Sequence, residues 1–240
     1  MLRLALITML IFFSGPAVAQ DFGIDFSDQG ALATRSVQLL ILITVLSLVP
    51  GLLVMITCFP YIVTVLAILR QAIGLQQSPP NMLIVTLALF LTYFVMEPVM
   101  IEAWRLGIEP VLEGQIAVED GFMLAIEPFR GFMANRVDAQ TFETLAALRP
   151  DFPARIPATD APLSVLVPSF LLSEIAKAFQ IGFVIFLPFL IIDLVVAAIL
   201  MSMGMMMVPP AIVSLPFKLA FFVVADGWSL IAGSLVQSYF

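Results

Sequence analysis

No charged side chain occurs from Ser36 to Leu69, and none from Gln71 to Met96, so Arg70 alone interrupts the charge-free chain. Apolar runs of this length read as two helices able to cross a hydrocarbon core of about 30 Å. They are joined by a tight connection, Gly74-Leu75-Gln76-Gln77-Ser78-Pro79-Pro80-Asn81, rich in turn-forming residues. Pro50-Gly51 and Pro60 interrupt the first run, which predicts a kinked or broken element. Overall 62% of the residues are hydrophobic and 11% charged, against about 25% charged in a soluble domain. The apolar surface exceeds what one such chain can bury, so lipid or neighbouring subunits must cover it.

The carboxyl-terminal part repeats the pattern. Ser164 to Met203 is a long apolar stretch holding Glu174, Lys177 and Asp193, with Pro188 predicting a bend or break. Gly204 to Pro210 closes it, and Ala211 to Val236 forms a last apolar segment with Lys218 and Asp226. Between the two halves, Arg105 to Leu163 carries five Arg and nine acidic residues, with Phe122, Ile126, Phe129 and Phe132 at helical spacing.

The first residues resemble a secretory signal: Arg3, an apolar Leu4 to Phe13, then Ala17-Val18-Ala19, with cleavage expected after Ala19. An uncleaved anchor helix is the competing reading. The fold expected is an all-α membrane protein. A signal peptide at 1–19 and a short segment at 20–35 precede a first apolar helical hairpin at 36–104. A small extramembrane helical domain at 105–163 follows, then a second hairpin at 164–240 with a Met-rich turn. The signal would place the middle domain outside the cytoplasm. The connections carry too little basic charge to fix topology, and hairpins packed into a larger ring remain an alternative.

Several functions drop out. There is no His and one Cys, Cys58, so no zinc spacing, thiol pair or imidazole base is available. Cys58 reads as a small buried hydrophobe. No phosphate-binding loop is present, and a net charge of −7 argues against nucleic acid. The chain is read as not an enzyme, with no cofactor and no metal.

Each charge inside an apolar helix costs about 2.5–3.5 kcal/mol unless partnered or hydrated. Glu174 and Lys177 are three apart and can meet on one helix face. Asp193 and Lys218 lie on opposite arms of the second hairpin, where an ion pair would fit. Such a pair could fix packing, relay protons or join subunits. Met201, Met203, Met205, Met206 and Met207 crowd around Gly204. Methionine is adaptable enough to fill a gap or to seal one and repack around something passing.

Three strings together resemble one family. They are Arg70-Gln-Ala-Ile-Gly74-Leu-Gln-Gln77-Ser-Pro79-Pro80-Asn81; Ala178-Phe-Gln-Ile-Gly-Phe through Leu187-Pro-Phe-Leu-Ile-Ile-Asp193 to Met205-Met206-Met207; and Leu215-Pro-Phe-Lys218 with Asp226-Gly-Trp228. They resemble the FliP family of type III export-gate proteins, whose injectisome relatives are called SctR. The resemblance covers most of 40–104 and 164–240 and is poor in between.

It implies a pore-forming subunit of the flagellar export gate. Several copies would assemble with FliQ and FliR into a helical multi-subunit ring in the inner membrane at the flagellar basal body. FlhB and FlhA would be further partners, FliO an assembly factor, and unfolded flagellar proteins the cargo. By the same resemblance, Met205, Met206 and Met207 would form a gasket around the pore. Asp193 and Lys218 would stabilise the gate, and Glu174 with Lys177 would serve contacts between copies. An injectisome gate subunit, an ion-coupled transporter subunit and a structural scaffold are the alternatives.

Overall fold

The computed structural model describes residues 29–75, 79–149, 156–205 and 207–240, with side chains from Ser36 onward except those of Leu42, Val45 and Leu46. The expected signal peptide, Gln77 and Met206 lie outside the described residues. The chain divides between Val49 and Pro50 into two compact units. In the first, the described residues are helical from Gln29, so the expected boundary at 36 marks no change of structure.

Helix α1 (Gln29–Met55) runs on through Pro50-Gly51. The break expected from Pro50-Gly51 and Pro60 falls between them, at Ile56–Cys58, where Ser47–Met55 turns by 70° into α2 (Phe59–Ile73). Pro60 sits in the first turn of α2, where its missing N–H costs nothing. Then come α3 (Asn81–Ala103), a π-helical segment (Trp104–Ile108) and the short α4 (Glu109–Leu112). Asn81–Leu112 is one helical rod. The expected boundary at 104 is therefore a change of charge and not of backbone, because charged side chains, unlike Pro or Gly, do not by themselves end a helix.

Helices α5 (Val118–Arg136) and α6 (Ala139–Ala147) follow, and a 3-10 turn (Ala158–Asp160) leads into α7 (Leu163–Ser202). Helix α7 has 40 residues and continues through Pro168 and Pro188, correcting the break expected at Pro188. An apolar helix tolerates the lost hydrogen bond where neighbouring helices and local adjustments compensate. At 1.5 Å per residue it is about 60 Å long, roughly twice a bilayer core. The final apolar stretch is two helices, α8 (Pro210–Val224) and α9 (Gly227–Gln237), meeting at 61°. Asp226 stands at that break with a left-handed φ of 47° and accepts a hydrogen bond from Ser229 at 3.1 Å, not at mid-helix as expected.

The core of the larger unit lies where α2 packs on α7. Ile62, Val65, Leu66, Leu69, Ala72 and Ile73 make one buried stripe along α2, spaced by three and four residues. Helix α3 packs on α2 and α5, and α8 on α7. A second apolar cluster joins Met133 and Phe142 to Val165, Leu166 and Phe170. The middle segment thus shares its core with the start of α7 and does not close on itself at Leu163. Its expected apolar stripe also holds only in part, since Phe129 is buried while Phe122 is exposed.

Two helices, Asn81–Leu112 and α7, are each long and apolar enough to cross a membrane, and up to four spans result if each bent pair counts as one. Those two rods establish an all-helical, membrane-competent chain among the described residues.

Candidate functional site

Glu174 projects from α7 and is fully buried. Its Oε1 lies 3.2 Å from Arg136 Nε and 3.9 Å from Lys177 Nζ, and its Oε2 accepts a hydrogen bond from the Tyr239 hydroxyl. Arg136 also donates through Nη1 to the Ser238 carbonyl at 2.8 Å, and its guanidinium lies 4.0 Å over the Tyr239 ring. Lys177 in turn donates to the Arg136 carbonyl at 2.5 Å, which takes up an acceptor at the end of α5. The Tyr239 ring stacks on Phe132 and meets Tyr61 edge-on. Burial, reinforced by the adjacent carboxylate, raises the Tyr239 phenol well above its ordinary range and keeps it a donor.

Next to this hub Asp138 caps α6, accepting from the Thr141 N–H at 2.8 Å and the Thr141 hydroxyl at 2.9 Å. Those two bonds hold the Asp138 carboxyl below the usual carboxylate range. The Asp138 N–H donates to Ser173 Oγ at 2.9 Å, which docks the start of α6 beside Glu174.

Sequence reasoning singled out Glu174 and Lys177 but missed Arg136, Ser238 and Tyr239. Arg136 had a signal: it follows Phe129, Phe132 and Met133 at helical spacing, which puts it on the inward stripe of α5. Nothing local pointed to Tyr239.

The second site lies at the opposite arms of α7 and α8. Lys218 Nζ is 2.6 Å from Asp193 Oδ2, and Ser214, one turn earlier on α8, donates to Asp193 Oδ1 at 2.6 Å. Lys218 also donates to the Ala72 carbonyl at 3.1 Å, so a buried ammonium ties α8 to the carboxyl end of α2 as well as to α7. Gly74 ends α2 with φ 89°, a left-handed cap that glycine adopts without steric cost. Arg70 donates to the Asn81 side chain and clasps the connection, which Pro80 completes by holding the chain extended before α3. The Ala72 carbonyl that Lys218 reaches lies two residues before this Gly74 cap. Ser214 and the Ala72 carbonyl were not foreseen.

Between α7 and α8 runs an apolar groove of about 520 Å³, lined by Ile199, Leu200, Met203, Met205, Val213 and Phe217 among others. The methionine turn is at its end. Gly204, with φ 74°, caps α7 in the left-handed conformation, the Met205 N–H bonding the Leu200 carbonyl at 3.0 Å and the Gly204 N–H the Met201 carbonyl at 3.1 Å. This closed turn leaves Met201, Met203 and Met205 exposed and Met207 almost wholly so, at 97%. Among the described residues no cluster of three metal-ligating side chains occurs.

Two membrane-length rods, two ion clusters and an exposed methionine turn define an all-helical, membrane-competent protein among the described residues. The sequence profile of the FliP family matches residues 42–235, and this chain belongs to that family. It is 49% identical to the flagellar biosynthetic protein FliP of Caulobacter vibrioides, over 93% of this chain and 84% of that one. It is 46% identical to the protein of that name from Rhizobium meliloti over the whole of both chains. The Bacillus subtilis protein of the same name is also 46% identical, over 86% of this chain and 93% of its own.

Proposed function

We propose that this chain is a subunit of the flagellar protein export apparatus, and that it lines the export pore with its methionine turn. The family and the relatives' name, flagellar biosynthetic protein FliP, support the first part. The second is carried by the turn itself: thioethers held out on a closed cap, at the end of an apolar groove, on a helix pair fastened by a buried ion pair. Met205 and Met207, with Met206, would seal the pore at rest and repack around an unfolded chain. Asp193, Lys218 and Ser214 keep α7 and α8 in register behind them.

On this reading copies of the chain assemble with FliQ and FliR in the inner membrane. FlhB, FlhA and FliO are further partners, and residues 105–163 face the periplasm between two apolar hairpins. Glu174 is enclosed at 0% exposure, so it serves contacts between copies indirectly by fixing Arg136 and Lys177. Lys177, whose side chain is 35% exposed, is the group a neighbour can reach.

The test is ion conductance of the assembled complex in a planar bilayer. Changing Met205, Met206 and Met207 to Ala should raise resting conductance while the complex keeps its size. Unchanged conductance in an intact complex would sink the sealing role.

A further inference from the structure

Five of the chain's seventeen acidic residues lie in one short stretch without basic residues. Residues 106–129 hold Glu109, Glu113, Glu119, Asp120 and Glu127 and no Lys or Arg. They form α4, the turn after it and the first half of α5. The turn is a built feature: the Gly114 N–H bonds the Val111 carbonyl at 3.1 Å and the Gln115 N–H the Pro110 carbonyl at 2.9 Å. Behind it the π segment packs on α5 so tightly that a Cβ on Gly107 would strike the Gly121 carbonyl and Ala125. This preformed tip nevertheless exposes Leu112 at 72%, Val118 at 68%, Phe122 at 66% and Met123 at 62%. Large apolar side chains clustered this way and rimmed by one sign of charge mark an interaction surface.

We infer that this tip docks a basic amphipathic helix of another polypeptide, its apolar face on Leu112, Val118 and Phe122 and its cations against Glu109, Glu113, Glu119 and Asp120. A second copy of this chain is a poor complement. Arg136, Lys177 and Lys218 are engaged at the two ion clusters, Arg130 pairs with Glu127, and Arg70 holds Asn81. That leaves Arg105 and Arg149, with the partly exposed Lys177, as the cations a neighbour can reach among residues with described side chains, too few to match the acidic rim. An anionic bilayer is disfavoured by the like charge of the rim. The surface stands apart from the methionine turn, so its test is independent of the pore reading.

The full chain is placed in nanodiscs of zwitterionic lipid, and binding of a fluorescent helical peptide of alternating Leu and Lys faces is read by anisotropy beside the same peptide with Glu for Lys. The Lys peptide should bind about tenfold more tightly, the preference falling with salt. Glu113→Lys with Glu119→Lys should remove that preference, and Leu112→Ser with Phe122→Ser should weaken binding about tenfold. Glu143→Lys with Asp160→Lys, an equal charge change elsewhere, should leave it intact. Equal affinity for the two peptides, or equal loss in the control, would overturn the inference. Quenching of a fluorophore at Val118 by brominated lipid would overturn it in favour of the bilayer, and crosslinking between Val118 of two copies in favour of self-association.

Discussion

The two ion clusters enclose opposite members of the pair. At α7 and α5 the anion is buried, and Glu174 is surrounded by Arg136, Lys177 and the Tyr239 hydroxyl. Across α7 and α8 the cation is buried, and Asp193 keeps 32% of its side-chain surface. A carboxylate sealed from water depends on every donor around it, whereas one partly in contact with solvent can be rescued by hydration. The Glu174 hub is therefore suited to holding the middle segment to α7. The Lys218 site fixes three helices at one point while leaving its anion able to respond to its surroundings.

That contrast can be broken by mutation. Arg136→Ala takes the nearest cation from a buried carboxylate, leaving it only the more distant Lys177 and the Tyr239 hydroxyl, and should cost about 3–5 kcal/mol, read as a lowered thermal midpoint of the detergent-solubilised protein. Lys218→Ala leaves Asp193 partly solvated and should cost less, about 1–3 kcal/mol. The reverse order would overturn the comparison. Tyr239→Phe removes one donor to a charged acceptor and should cost about 1.5–3 kcal/mol at most, with little further loss when added to Glu174→Gln, because the two share one interaction.

Asp138→Ala should have the smallest effect, and it carries a pH signature. The folded carboxyl is held below an unfolded value of about 3.9. The cap's contribution is therefore present above that value and is lost as pH falls through the folded one. The difference in melting temperature between wild type and variant should shrink on acidification across that window. A gap that persists below it would mean that the carboxylate's charge contributes nothing.

Much of this was legible in advance because apolar runs declare themselves by length. The apolar runs that become α2, α3, α7 and α8 and the Met turn follow from composition, and the Asp193 and Lys218 positions follow from the cost of charge in an apolar helix. The helix breaks were less legible. The kinked or broken first element expected from Pro50-Gly51 and Pro60 is found, but its break lies at Ile56–Cys58 beside Pro60. The helix runs unbroken through Pro50 and Pro188, and Asp226 carries a bend that no proline announced. A proline removes one hydrogen bond, and whether the helix survives depends on packing that no local pattern records. The Glu174 hub was half legible. Lys177 was in reach by spacing, but Tyr239 and Ser238 arrive through tertiary contact.

The hub also has a chronology. The Tyr239 donor lies 65 residues downstream of Glu174, which at about 5–20 residues per second is roughly 3–13 s of synthesis. Arg136 precedes Glu174 in the chain by 38 residues and can meet the carboxylate at once. During that interval the segment is neutralised but not locked, and the phenol's arrival converts a provisional pairing into the finished site. A nascent chain stalled before Tyr239 would present an incomplete hub, its carboxylate short of one donor.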